Sequence, residues 1–360
     1  MMSQLADKHA DKCRFCWMCR HLCPVQLQTG KEVNTPRAKA LLLSMVRRGK
    51  VYDESMAEVM YECLLCDACT DNCATGYQPP LYIREARTEA ILNDLAPKAV
   101  SEVLDRIEQT GTIYGTEKKS YGKTGKAETL VYLGEVAAVA VPGMAKALLS
   151  LLDKAGVSYT VLEQEPASGV MLGDLTGYVE EVRQQAEICA GAINGTEAKE
   201  IVVLDSYDAE IMVQKYPEWG IGLKGTVVTA TAYIRRLLKD GRLKIARKAE
   251  GRAVYHDDDR LARTFQEFTE ARDIARELGY ELVEMFHHER LAKSCGTSLA
   301  KAYMPELVKR IAAGRWEDML RTKAEIMLTA SPQAYECLAE TVPEGRKLVD
   351  LFEALDGGCV

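Results

Sequence analysis

Two stretches decide how this chain is read: Cys13-Arg-Phe-Cys16-Trp-Met-Cys19-Arg-His-Leu-Cys23-Pro24 and Cys63-Leu-Leu-Cys66-Asp-Ala-Cys69-Thr-Asp-Asn-Cys73. Each is C-x-x-C-x-x-C-x-x-x-C. Together they hold eight of the twelve cysteines, and the other four, Cys189, Cys295, Cys337 and Cys359, are scattered. Structural zinc is usually held by separated C-x-x-C pairs, not by triplets with an outlying fourth member. Disulfide staples are not needed either, because 360 residues are ample to bury a core. Twelve cysteines in a chain of this size point to metal or redox chemistry.

The spacing is the one used by two-cluster bacterial ferredoxins. Three thiolates two residues apart wrap one corner of an iron–sulfur cubane. The fourth cysteine starts a helix that leads away to the other cluster. On this reading cluster I is a [4Fe–4S] group on Cys13, Cys16, Cys19 and Cys73, and cluster II one on Cys63, Cys66, Cys69 and Cys23. Pro24 suits the first position of a helix. The second block has Ala74 at the equivalent place, which costs no iron ligand.

The chain is 47% hydrophobic and 28% charged with a formal net charge of −7, as expected of a soluble protein of two to three domains. An acidic chain is a poor match for nucleic acid or an anionic membrane. Met1–Asp11 is polar and reads as no signal peptide. The most apolar stretch, Val136–Val141, is too short to span a bilayer, so no transmembrane segment is expected. The expected location is the cytoplasm, at most peripheral to a membrane through a partner.

Between the blocks, Asn34-Thr35-Pro36-Arg37 opens a helical run ending near Gly49, Tyr52–Tyr61 reads as a second helix, and Pro79-Pro80 starts a third. The long helical insert resembles the helical ferredoxin-like domains of respiratory enzyme subunits. Trp17, Met18 and Leu65 are expected to shield the sulfurs, with Arg14, Arg20 and His21 forming a solvated rim. Residues 111–128 mix four glycines with four lysines and read as a linker. Beyond it strands and helices alternate. Strands are expected at Thr129–Tyr132, Ala137–Val141, Val157–Leu162, Ile201–Leu204, Thr226–Val228, Ala253–Tyr255, Glu281–Met285 and Glu325–Leu328. Helices are expected over Ala145–Ala155, Leu175–Ile193, Arg260–Leu278, Leu299–Ala313 and Pro332–Glu340. The fold class is therefore α/β, with largely parallel sheets. The rhythm restarts after Gly251, which divides the chain into a helical two-cluster domain (1–110), a linker (111–128) and two similar α/β modules (129–245 and 251–354).

Tyr132-Leu133-Gly134, Ala167-Ser168-Gly169, Tyr255-His256-Asp257, Ser294-Cys295-Gly296 and Ser331-Pro332 resemble degenerate landmarks of the paired cysteine-rich modules called CCG domains. With the cysteine blocks, the chain resembles the iron–sulfur subunits of glycolate oxidase, lactate-utilisation enzymes and heterodisulfide reductases. It departs from that pattern where the family's module cysteines belong. Glu135 replaces the cysteine after the first strand, Ala167-Ser168-Gly169 replaces Cys-Cys-Gly, and Asp259 replaces the cysteine after His-Asp. Ser331 and Ala334 stand in for C-P-x-C. Serine and alanine are poor ligands for iron–sulfur clusters, so no third cluster is expected. Cys295 with His256, His287 or His288 is the remaining candidate for another site, against a plain buried thiol.

The resemblance implies a non-catalytic subunit relaying electrons to or from FAD on a partner. That partner would be an FAD-dependent 2-hydroxyacid dehydrogenase of the glycolate or D-lactate type, with an electron-transferring flavoprotein as a further candidate. Two rivals stand beside it: a thiol–disulfide or quinone reductase acting at the C-terminal modules, and a structural role for the clusters. No nucleotide-binding glycine motif and no nucleophile–base pair is visible.

Overall fold

The computed structural model describes residues 8, 10–119 and 121–360. Most of Met1–Asp11, on which the signal-peptide expectation rests, lies outside them.

The two-cluster segment is helical. Helix Pro36–Arg47 starts where expected: Thr35 caps it by accepting from the Ala38 N–H, and Pro36 fills the first turn. Asp53 caps helix Glu54–Tyr61 in the same way. Helices Pro79–Leu92 and Lys98–Thr110 follow. The second buries Val100, Val103 and Ile107, a three- and four-residue spacing that marks one apolar face.

Residues 111–128 hold no helix or strand among those described, but the segment is pinned. Ile113 is fully buried, Tyr114 donates to Glu336 at 2.6 Å, and Tyr121 donates to the Ala138 carbonyl at 3.1 Å.

Two parallel four-stranded sheets follow. The first comprises β1 Thr129–Tyr132, β2 Tyr159–Val161, β3 Glu200–Val203 and β4 Thr226–Thr229. The second comprises β5 Arg252–Tyr255, β6 Glu281–Leu282, β7 Ile326–Thr329 and β8 Lys347–Asp350. Their orders are β2-β1-β3-β4 and β6-β5-β7-β8. The identical order bears out two similar α/β modules. Strands β1 and β7 are buried throughout, as expected for strands covered by helices on both faces.

Several elements differ from expectation. The apolar run at 137–141 lies in helix Glu135–Val139 and the turn after it, because Gly134 at φ 80° ends the strand and Val-Ala-Ala-Val is as compatible with helix as with strand. Leu175–Ile193 is two helices, Val170–Thr176 and Glu180–Gly195, parted at Gly177. Gly177 has φ 84°, and a Cβ there would stand 2.7 Å from the Arg84 carbonyl oxygen, so the break lets the module's backbone touch the two-cluster segment. Likewise Arg260–Leu278 divides into Asp259–Arg263 and Glu270–Leu278. The run expected from Leu299 divides at Met304-Pro305, where a proline cannot continue the helix before it. Strand β8 and helix Leu351–Gly358 add to the expected elements.

The two-cluster segment is built into both modules. Leu22, Val25, Leu64 and Cys66 share one apolar core with Val308, Ile311 and Trp316 of the second module. Ala57, Tyr61 and Ala90 share another with the first.

Candidate metal centre

The two cysteine loops have the same backbone trace. In each, the residues on either side of the second cysteine are left-handed: Phe15 (φ 53°) and Trp17 (φ 69°) around Cys16, Leu65 (φ 54°) and Asp67 (φ 59°) around Cys66. None is glycine, and each such residue costs about 1–3 kcal/mol. Alternating right- and left-handed residues turn successive N–H groups into a concavity, the nest geometry found around anions and iron–sulfur sites. The Leu65 N–H stands 3.4 Å from Cys63 Sγ, a first member of that ring of donors.

Cys23, Cys63, Cys66 and Cys69 line a single cavity, with Asn34, Lys39, Leu65 and Pro80 among its walls. The cavity encloses about 420 Å³ of space outside the atoms, part of it open to solvent. So Cys23 of the first block faces the triplet of the second. Burial raises the Cys13 thiol, and the charges of Cys73 and Cys16 raise it further. Four soft sulfur donors around one cavity, on loops whose N–H groups turn inward, are a donor set that fits an iron–sulfur cluster.

Burial dominates the thiol chemistry. It pushes Cys23 up to about 11 and Cys19 up to about 12, and raises Cys66 and Cys69 further. Cys73 is also opposed by burial, but the Thr75 hydroxyl and the N–H groups of Thr75, Tyr77 and Gly76 outweigh it and leave the thiol below its usual value. Iron binding would therefore have to displace protons from most of these groups.

Buried arginines hold the second loop from behind. Arg87 is 1% exposed and donates to the carbonyls of Cys63 (2.6 Å), Met60 (3.2 Å), Tyr61 (3.3 Å) and Asp174 (2.5 Å). It thereby satisfies the end of helix Glu54–Tyr61 and ties it to the first module. Arg263 of the second module donates to the Cys66 carbonyl at 2.8 Å, and Arg260 pairs with Asp67 at 3.0 Å. Cysteine spacing gives no sign of these residues. An arginine or lysine on the apolar stripe of a helix, as at Arg87 and Lys39, is the one signal that points to them.

The first loop is open by contrast. Cys16 is exposed, and Trp17 and Met18, expected as shields, are about half exposed (46% and 48%), whereas Leu65 is buried as expected. Arg20 and Arg37 lie over the Trp17 ring, with the Arg37 guanidinium 3.5 Å from its centre. The His21 ring lies 6.5 Å from that of His287, which packs edge-on against Phe286, 90% exposed. The expected polar rim is thus also aromatic.

The module landmarks fall at the carboxyl ends of the strands, where such sheets reverse their order. They are internally satisfied. Ser168 donates to Asp208, and Ser294 to Asp259 at 2.6 Å. Glu165 accepts from the Leu133 and Gly134 N–H groups, while Glu135, raised by burial to about 7, accepts from Ile113. The Cys295 set is not assembled: Cys295 is 2% exposed beside Ala334, and His256 accepts from Arg315 at 3.1 Å. His287 faces His21, and His288 lies beside Glu284 and Glu289. Among the described residues no three Cys, His, Asp or Glu side chains gather to hold a single metal ion. Cys189, Cys337 and Cys359 are buried thiols. Among the same residues no helix is long and apolar enough to cross a membrane.

Residues 9–77 match the 4Fe-4S dicluster domain family. The chain is 26% identical over 310 residues to a probable membrane-anchored ferredoxin of Chromohalobacter salexigens, covering 80% of this chain and 46% of the relative. It is 23% identical over 366 residues to an EtfAB:quinone oxidoreductase of Syntrophomonas wolfei, covering 89% and 49%. It is also 23% identical over 354 residues to one of the subunits of the dihydromethanophenazine:CoB–CoM heterodisulfide reductase of Methanosarcina acetivorans, covering 89% and 86%. The chain thus spans about half the length of the first two. A crystal structure of a hypothetical protein from Helicobacter pylori superposes with a TM-score of 0.59 at 9% identity, over 99% of this chain and 73% of that one, which speaks to fold alone. The chain carries a 4Fe–4S dicluster domain, and these relatives accord with the iron–sulfur subunits it resembles.

Proposed function

We propose that this chain is the electron-relay subunit of a flavin-dependent oxidoreductase. Cluster I sits on Cys13, Cys16, Cys19 and Cys73, and cluster II on Cys63, Cys66, Cys69 and Cys23. The observation that carries this reading is the pair of like-folded cysteine loops, one opening to solvent at Cys16 and one enclosed with Cys66. When bound, the two clusters supply one-electron centres, which suit taking the electron pair of a flavin hydroquinone one at a time. The protein's own groups do the rest. Arg87 and Arg263 hold the enclosed loop in place, and Phe15, Trp17, Met18 and Phe286 offer an aromatic, apolar face to a partner. The exposed basic side chains of Arg14 and Arg20 give that face a positive rim on an acidic chain, which favours an acidic docking surface.

The partner we infer carries FAD. The relative named for EtfAB favours an electron-transferring flavoprotein as the donor, and the likeness to glycolate and lactate enzymes favours a 2-hydroxyacid dehydrogenase. Residues 1–110, 129–245 and 251–354 are proposed as the working units, with the α/β modules as scaffold and docking surface. The proposed location is cytoplasmic, at a membrane only through a partner.

Anaerobically prepared protein is expected to hold about eight irons and eight sulfides per chain. It is expected to show two interacting reduced centres and to accept electrons from a reduced flavoprotein, without turning over hydroxyacids or disulfides alone. Twelve or more irons would refute the empty modules. Disulfide or quinone reduction by the isolated chain at an enzymatic rate would favour the reductase reading instead.

A further inference from the structure

Asn34 and Lys39 stand on the wall of the cavity shared by Cys23, Cys63, Cys66 and Cys69, and neither supplies a ligand. Asn34 is fully buried, and neither Nδ2 nor Oδ1 has a hydrogen-bond partner. Buried amides are almost always paired in native proteins, so an orphan one asks for an explanation. Its backbone carbonyl lies 3.8 Å from Cys23 Sγ, which fixes the residue at the sulfur end of the cavity. The orphan amide belongs to a residue on the wall of a cavity lined by four sulfurs.

Lys39 is 2% exposed, one helical turn into Pro36–Arg47, on the same face as the buried Pro36, Ala40 and Leu43. An ammonium has three donors, and the bond to the Val59 carbonyl uses one. Burial lowers its affinity for the proton, and the sulfurs of Cys63 and Cys23 act the other way, favouring the charged form. Two carboxylates share the wall, but Asp67 is paired with Arg260 at 3.0 Å and Glu62 is half-buried toward solvent. The first loop is built differently: Cys16 is exposed, and the nearby Arg37 guanidinium, which lies over the Trp17 ring, is neutralised by Glu32 at 2.6 Å.

A cluster held by four thiolates gains one negative charge on reduction. Hydrogen-bond donors and a buried cation favour the reduced form, and they act strongly because the enclosed wall has a low dielectric. We propose that Asn34 and Lys39 are positioning residues for cluster II, donating toward its sulfurs and holding its reduction potential above what the same four cysteines would give unaided. Cluster I is untouched by them, so the chain sets its two potentials separately.

This rests on Cys23, Cys63, Cys66 and Cys69 sharing one cluster, and the test keeps the two ideas apart. The full chain, Lys39→Met, Asn34→Leu and Lys39→Arg are titrated anaerobically and followed by electron paramagnetic resonance at equal iron content. Lys39→Met and Asn34→Leu are each expected to shift one midpoint negative by about tenfold in the reduced-to-oxidised ratio, which is about 59 mV for one electron. The other midpoint stays, and Lys39→Arg keeps most of the wild-type value. The centre that moves should be the one lost in Cys23→Ser. Two unmoved midpoints, or two that move together, overturn the proposal. If a variant sheds iron, the unmutated chain labelled with ¹⁵N only at the asparagine amide and lysine amine gives the answer by pulsed resonance. Coupling of both nitrogens to one reduced centre supports the proposal, and no coupling overturns it. Should Cys23→Ser and Cys63→Ser damage different centres, the shared-cluster reading fails, and this inference falls with it.

Discussion

Replacing Arg87 by methionine should loosen the enclosed cysteine loop and the joint between the two-cluster segment and the first module together. The guanidinium serves carbonyls on both sides of that joint: Cys63 at 2.6 Å and Asp174 at 2.5 Å, with Met60 and Tyr61 at longer range. Hydrogen bonds from a charged donor contribute about 1.5–3 kcal/mol each, so the two short ones set a gross loss of about 3–6 kcal/mol. Methionine fills much of the same volume and needs no desolvation, which offsets part of this. A net loss of about 3–5 kcal/mol remains, because the Cys63, Met60 and Asp174 carbonyls lose this donor, while Tyr61 keeps the Tyr303 hydroxyl. Denaturant unfolding under anaerobic conditions, read by cluster absorbance and by tryptophan fluorescence, measures it. Cluster absorbance should fail first, with about half the iron released before the modules unfold. A variant that keeps all its iron and unfolds within about 0.5 kcal/mol of the parent would refute the argument.

Cys23→Ser and Cys63→Ser should damage one and the same centre, and Cys73→Ser and Cys13→Ser the other; separate spectra of the reduced variants decide it. Glu135, raised by burial to about 7, binds more protons folded than unfolded, so its contribution is fully present below about 4.5 and is lost as pH rises through 7. Glu135→Gln should therefore flatten the fall in stability between those pH values, and unchanged curvature would count against the buried acid. Cys295→Ala should leave electron transfer and iron content unchanged and cost at most about 3 kcal/mol in stability. Loss of electron transfer with the iron intact would give Cys295 the redox role its burial argues against.

The cysteine blocks and most strands are legible in the sequence because their signals are local. Thr129–Tyr132 and Ile326–Thr329 are short, wholly apolar runs bounded by turns, which suits strands buried on both faces. Where the same apolar composition suits either element, as at Val136–Val139, periodicity does not decide, and Gly134 tips the chain into a helix. Helical runs read from periodicity are too long wherever a single residue stops them, at Gly177 and Pro305. At the site, spacing points to the ligand type and suggests the proposed pairing. What encloses the ligands does not follow from it, because Arg87, Arg260 and Arg263 arrive from 24 to 197 residues away through tertiary packing.

The enclosure of the second loop bears on how the chain is assembled and how it ages. Cys66 is sealed beneath Arg263, and the loop that carries it shares a core with Val308 and Trp316, residues made long after the cysteine blocks leave the ribosome. Iron bound in that cavity is expected to exchange slowly, because the loop that carries Cys66 shares its core with the second module. The first loop, with Cys16 in contact with water, stays open to loading, to repair and to attack by oxygen. Air should therefore strip this protein in two stages, the first faster and more readily reversed with iron and sulfide.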